Sequence, residues 1–388
     1  MLRSFDKTQD TPFDNALDGP VDHAQTGPPE SSQARLELAL SKPFVPYPLL
    51  SNPDVMTLLA RWWPRGCGLA GISLEDRLFE VGPDSKILGR CHWQSPRHRH
   101  PTLLLIHGFE GCSESHYMLG LAAKGYRVGF NVIRLNQRNC GGTEHLTRTL
   151  YHSGLSGDVL AVVEELATRD GLDSVYLAGY SMGGNLALNA AGQLARAEAG
   201  SPNVPCTRAR ALKGIAAVCP NINPALAVDA LERPRNFIYQ RHFLKSLRAR
   251  MRRKARCFPG LNDLSHLDAI RTLHEFDDRY TAPDAGYTDA AEYYERTGAR
   301  HVLGYICSPT LIIAAKDDPF IPFRSFDVPA LAENPWIHLV ASTHGGHCGF
   351  LQRRRCDEDM YWAENRLVEF FLTLAHSDKR GGQSVSQP

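Results

Sequence analysis

Apolar runs and amphipathic segments alternate through the middle of the chain. Thr102 to Ile106, Arg127 to Ile133, Val175 to Ala178, Gly214 to Cys219, Thr310 to Ala315 and Ile337 to Val340 show little polar alternation. Such runs suit parallel strands buried on both faces. Helical spacing fills the gaps, over 115–124, 157–170 and the stretch with Leu186, Ala187, Leu188, Ala190, Ala191 and Leu194. A last helix over 361–375 carries Trp362, Leu367, Phe370, Phe371 and Leu374 on one face. Two earlier strands, 76–81 and 87–91, flank the turn chemistry of Gly82-Pro83-Asp84. This alternation predicts an α/β fold with a mostly parallel central sheet and helices on both faces.

The pattern stops in three places. Residues 1–34 are polar and Pro-rich, and are expected to be disordered, as is the tail 377–388. Residues 220–304 form a helical, polar and aromatic insertion that divides the core into 35–219 and 305–376. Near the start of the core, Asp54 is expected to cap a short helix over 55–60 that presents Trp62 and Trp63. Those rings can line an acyl pocket, but packing on the domain is the favoured role.

Within the insertion, Arg241, Lys245, Arg248, Arg250, Arg252, Arg253, Lys254 and Arg256 interleave with Phe243, Leu244, Leu247 and Met251. A basic amphipathic helix can rest on an anionic membrane. A solvated outer face is the preferred reading, with peripheral membrane contact as the alternative.

Composition narrows the function classes. The formal net charge of +1 over 388 residues gives no overall field for nucleic acid. The ten cysteines include no C-x-x-C pair, and several lie in apolar segments, which suits reduced core thiols and a cytoplasmic compartment. The N-terminus lacks the apolar core of a secretory signal, and no apolar run approaches the roughly 18 residues that span a bilayer. His92, His98 and His100 lack ligand spacing and read as a solvated loop. No metal and no organic cofactor is expected.

The chemistry centres on Gly179-Tyr180-Ser181-Met182-Gly183. Strand, sharp turn and helix with serine at the apex form a nucleophile elbow. A serine hydroxyl needs a base, and the base needs an orienting carboxylate. Both follow in the order Ser, Asp, His used by α/β hydrolases, each after a strand. Asp317 and Asp318 are adjacent; Asp318, directly before Pro319 and four residues before Pro322, is preferred, leaving Asp317 to structure the loop. His347, after two glycines, is preferred over His344 as base. The oxyanion donors are expected to be the backbone N–H groups of Met182 and of Phe109 in His107-Gly108-Phe109, with His107 structural.

The residues His107-Gly108-Phe109-Glu110-Gly111-Cys112-Ser113-Glu114-Ser115-His116-Tyr117 resemble a signature block of the YheT-like hydrolases, the AB hydrolase 4 family. Leu135 to Gly142, Leu150 to Gly154, Tyr239 to Arg241, Phe258 to Leu261, Glu275 to Asp278, Asp289 to Tyr294, Asp317 to Phe320 and Gly345 to Phe350 extend the resemblance over residues 44 to 372. Gln137 and Asn139 stand where that family has His or Phe and Gly, and Asn52 to Thr57 departs from its N-G-H-x-Q-T segment. The resemblance implies an α/β-hydrolase fold with a helical cap at 220–304 and a Ser181–Asp318–His347 triad. It implies cleavage of carboxylic esters of short- to medium-chain acyl groups or lipids through an acyl-enzyme. Acyl transfer to an alcohol is the alternative, and a non-catalytic binding protein on the same fold is the rival from another class. The implied partner is a small-molecule ester or lipid.

Overall fold

The apolar runs pair side by side into one sheet, as their lack of polar alternation requires. In a computed structural model covering residues 42–63, 65, 68–199, 210–355 and 357–383, eight strands are joined. They are β1 (Glu75–Gly82), β2 (Ser85–His92), β3 (Thr102–Ile106), β4 (Asn131–Asn136), β5 (Val175–Tyr180), β6 (Leu212–Val218), β7 (Thr310–Ala315) and β8 (Ile337–Ser342). The order is β1-β2-β4-β3-β5-β6-β7-β8. β2 is antiparallel to both neighbours, and the remaining pairs are parallel. The segment expected to be disordered at 1–34 lies outside the described residues.

Helices cover both faces: α1 (Pro53–Trp62), α2 (His116–Arg127), α3 (Ser156–Thr168), α4 (Met182–Ala199), and α8 (Trp362–Gln383) after the insertion. Side chains along β3 alternate between them. Leu104 and Ile106 join one core with Val162, Val163 and Leu186, while Leu103 and Leu105 join another with Met118, Phe370 and Phe371. This period of two, buried on each side, is why Leu103 to Ile106 carries no polar residue. Chain order departs from β3 to β4 on one side and returns to β5 on the other. The C-terminal ends of β3 and β5 therefore flank a topological switch point, where an open α/β sheet offers a crevice.

Local chemistry moved several boundaries. β4 begins at Asn131 and not at 127, because Val128 caps α2 and Gly129 turns the chain at φ +97°. The cap of α1 is Asn52, whose side chain accepts from Val55 N at 3.0 Å, and not Asp54. Pro53 at the first helical position explains the shift, since its missing N–H costs nothing there. α8 runs on to Gln383, past residue 377 where the tail was expected to begin. No glycine or proline interrupts the sequence between Ala363 and Arg380. Trp62 and Trp63 divide the two uses foreseen for them: Trp63 packs on Tyr47, while Trp62 is 69% exposed.

The insertion is helical, with α5 (Pro224–Leu231), α6 (Phe237–Cys257) and α7 (Ala290–Thr297) among shorter turns. Leu244, Leu247 and Met251 of α6 belong to the same core as β3 and α4. Neither expected use of the basic stripe describes Arg250 or Lys254. Arg250 is buried against Glu110 at 2.9 Å, and Lys254 is fully buried on Asn139 and the Thr147 carbonyl at 2.7 Å each. Arg253 pairs with Glu144 at 2.6 Å, Arg252 with Asp268, and Arg248 donates to the Leu267 and Ile270 carbonyls. Arg250 and Lys254 are therefore not available to an anionic surface, whereas Arg241, Lys245, Arg252, Arg253 and Arg256 are exposed. Among the described residues, no helix is long and apolar enough to cross a membrane.

Candidate active site

Ser181 sits between β5 and α4 with φ +53°, a left-handed conformation that a non-glycine residue adopts at a cost. Three hydrogen bonds hold it there. Its N–H donates to the Val218 carbonyl at 2.9 Å, and its carbonyl accepts from Asn185 N at 3.1 Å and Asn221 N at 3.2 Å. The flanking glycines are obligatory for steric reasons. A Cβ on Gly179 would drive into the Gly183 carbonyl, and one on Gly183 into the carbonyl oxygens of Ile106 and His107.

The loop after β3 approaches this turn closely. A Cβ on Gly108 would lie 3.1 Å from both Ser181 Cβ and the Tyr180 carbonyl oxygen. The amides on either side of Phe109 are engaged: Gly108 N donates to Tyr117 Oη at 3.0 Å and Glu110 N to Tyr151 Oη at 3.2 Å. Phe109 itself is clamped between rings, stacked on Tyr151 at 6.0 Å and edge-on to Phe243 of α6 at 5.3 Å. The strand-β3 loop and the start of α4 thus bring Phe109 and Met182 to the serine.

His107 faces away from this chemistry. Its Nδ1 meets the Gly108 carbonyl at 2.8 Å, its Nε2 accepts from Gln137 N at 3.1 Å, and the Gln137 amide donates to the His107 carbonyl at 2.6 Å. Burial brings the imidazole down to about 4, so it is neutral in the fold. Gln137, an unusual residue for its place in the resemblance, is the partner that fixes this ring. An unfolded His107 would take up a proton near 6.5 while the folded one does not, so falling pH favours unfolding. The stability that His107→Asn loses at pH 7.5 is therefore expected to shrink as pH drops from 6.5 toward 4, at up to about 1.4 kcal/mol per pH unit. Urea denaturation of both proteins across that window checks it.

The acid and base loops follow β7 and β8. Asp318, with a side chain 1% exposed, places Oδ2 2.8 Å from His347 Nδ1. Its Oδ1 accepts from Phe320 N at 2.8 Å and Ile321 N at 3.0 Å, which fixes the carboxylate plane. Burial opposes charging the His347 ring, but the Asp318 carboxylate outweighs it and holds the imidazole well above its usual value. Asp317 points elsewhere. It accepts from Gly346 N at 3.0 Å and lies 3.4 Å from the more exposed His344, so this second Asp–His pair shapes the loop that carries His347. Thr57 of α1 adds a contact that no motif announces. Its Oγ1 accepts from His347 N at 2.8 Å and donates to the Pro53 carbonyl at 2.7 Å.

Ser181, Met182, Phe109 and His347 all border one cavity of about 760 Å³. α5 and α6 roof it with Val228, Leu231, Tyr239 and Phe243, and its mouth includes the exposed Trp62 and Ile238. Its volume is in the range that encloses a drug-sized ligand.

The sequence model of the family described as alpha/beta hydrolase fold matches residues 101–353. The chain belongs to that family. Within it, YheT of Escherichia coli (strain K12), which is named as an esterase, is 30% identical over 347 residues, covering 87% of this chain and 95% of that one. Phospholipase ABHD3 of Bos taurus is 27% identical over 253 residues, 65% of this chain and 59% of its own length. These relatives place this α/β hydrolase in the AB hydrolase 4, YheT-like group. The solved esterase Pf2001 of Pyrococcus furiosus shares the fold at a TM-score of 0.52 and 14% identity, over 86% of this chain and 98% of that one.

Proposed function

We propose that the chain is a serine hydrolase that cleaves carboxylic esters of short- to medium-chain acyl groups or lipids. The observation that carries this reading is the meeting of the loops after β3, β5, β7 and β8: Phe109, Ser181 with Met182, and His347 border one cavity, and Asp318 backs His347 at 2.8 Å. Names of relatives that include an esterase and a phospholipase support the same class.

The ester enters beneath α5 and α6 with its acyl chain against the apolar lining. Ser181 Oγ attacks the carbonyl carbon, and His347 Nε2 takes the hydroxyl proton. Asp318 keeps the ring in the tautomer with Nδ1–H toward the carboxylate and stabilises the imidazolium that forms. The Met182 and Phe109 N–H groups receive the oxyanion, helped by the N-terminal field of α4. Collapse expels the alcohol, which takes the proton from His347. Water, deprotonated by the same histidine, then releases the acid from Ser181.

A fluorophosphonate probe tests the nucleophile directly. The wild-type chain is expected to be labelled on Ser181 and Ser181→Ala to remain unlabelled. Equal labelling of the two proteins overturns the reading. A series of nitrophenyl esters of graded chain length then reads the depth of the cavity.

A further inference from the structure

Two cysteines meet beside the base. Cys219 follows β6 at φ +46° and Cys348 follows His347 at φ +58°, so both turns hold non-glycine residues in the left-handed region. Each thiol is tied to the other's turn. Cys219 Sγ donates to the Gly346 carbonyl at 3.8 Å, Cys348 Sγ donates to the Val218 carbonyl at 3.6 Å, and Cys348 N donates to Cys219 Sγ at 3.4 Å. The two sulfurs and a ring nitrogen of His347 all lie within 4.8 Å of one another. Cys348 borders the substrate cavity while Cys219 is buried behind it.

The proposed ester chemistry uses neither thiol. We propose that Cys348 and Cys219 are a thiol pair that a hydroperoxide entering the cavity oxidises to a disulfide, disarming His347. The pair is divided as a reactive and a resolving thiol should be. Burial opposes ionisation of Cys348, but the adjoining Cys219 thiol and the His347 ring, when it carries a proton, bring it down to about 6; on ionising, Cys348 gives up its hydrogen bond to the Val218 carbonyl. Burial keeps Cys219 protonated, well above its usual value. A thiolate that is exposed to a cavity and has a second sulfur within reach is the arrangement that peroxide sensing needs.

The Cys348 thiolate attacks the distal peroxide oxygen, the O–O bond breaks, and an alkoxide or hydroxide leaves and is protonated by water. Sulfur is oxidised to the sulfenic acid as the peroxide is reduced. Cys219 sulfur then attacks Cys348 sulfur, and the S–O bond breaks. The departing hydroxide takes the Cys219 proton and leaves as water. The bond must bring the sulfurs to about 2 Å. That closure draws the turn after β6 against the residue next to His347, so the ring cannot keep its place against Asp318.

The loss of activity rests on the serine-hydrolase reading, whereas formation of the bond does not. The experiment therefore reads both on the full chain. Hydrogen peroxide treatment, alkylation and peptide mapping are expected to recover the Cys219 and Cys348 peptides joined, with Ser181 labelling by fluorophosphonate slowed at least about tenfold and restored by dithiothreitol. In Cys348→Ser, labelling is expected to keep its own starting rate after peroxide. The proposal fails if both thiols remain alkylatable when labelling is lost, or if the cross-link forms and labelling is unchanged. Should the untreated chain not label at all, the hydrolase reading falls, and the peptide map still decides the pair.

Discussion

Asp318→Asn is expected to lower kcat by about 10⁴-fold while Asp317→Asn changes it by less than about tenfold. The two side chains are adjacent in sequence and differ in what they face. Asp318 Oδ2 meets His347 Nδ1 at 2.8 Å, and its other oxygen is spent on two backbone amides. An asparagine can keep those amide bonds, but presenting its own N–H to Nδ1 would force the proton onto Nε2, the atom that must accept from Ser181. The ring would be well placed in the wrong tautomer. Asp317 bonds Gly346 N at 3.0 Å, a contact that an asparagine oxygen preserves. Steady-state kinetics on one nitrophenyl ester separates the two, because the tautomer effect falls on kcat with KM little changed. If Asp317→Asn were the inactive variant, the acid would be misassigned and the loop geometry would have to be read anew.

Much of this site was legible in the sequence because its parts obey local rules. A buried strand has no polar alternation, an elbow needs glycines where backbone meets backbone, and the acid and base loops follow strands. Those grounds alone pick out Ser181, Asp318 and His347 as candidates, and the structure sets Asp318 beside His347 at 2.8 Å and lines one cavity with Ser181 and His347. The remaining features depend on partners distant in the chain. Thr57 reaches a backbone amide 290 residues away, and no period or motif announces that contact. The stripe on α6 shows the same limit more sharply. Its spacing describes an amphipathic basic helix, and hydropathy assigns the charged side to water. The partners that bury Arg250 and Lys254 come from loops 140 and 115 residues earlier, at Glu110 and Asn139. Asn139 at φ +61° illustrates why a departure from a familiar pattern can be structural. It takes a backbone conformation that glycine adopts freely and uses its side chain to receive the buried lysine.

Arg250→Met is expected to destabilise the protein by about 3–5 kcal/mol and to lower kcat by on the order of 10- to 100-fold. Arg250 and Glu110 are both almost fully buried, 2.9 Å apart, with the guanidinium 4.2 Å above the Tyr151 ring. Removing the cation leaves a carboxylate with no compensating charge in an apolar setting. Glu110 directly follows Phe109, and it also holds the Tyr151 hydroxyl at 2.6 Å, whose ring stacks on Phe109. A shift of Glu110 is therefore a shift of Phe109, the proposed oxyanion donor, and a small displacement of such a donor is costly because it acts at hydrogen-bond range. Lys254→Met supplies the comparison. It removes a cap anchor on the same helix, bonded to Asn139 and the Thr147 carbonyl, without touching the Phe109 loop. It is expected to cost about 1–3 kcal/mol of stability and to leave kcat nearly unchanged. Adding Glu110→Gln to Arg250→Met removes the stranded charge, so the pair is expected to be less unstable than the sum of the single changes. Urea denaturation gives the stabilities, and kcat measured well below each variant's unfolding transition gives the catalytic part. Equal kcat losses in Arg250→Met and Lys254→Met would mean that the cap acts through general stability. A loss confined to Arg250→Met would mean that one buried ion pair sets the position of the Phe109 amide from the roof of the cavity.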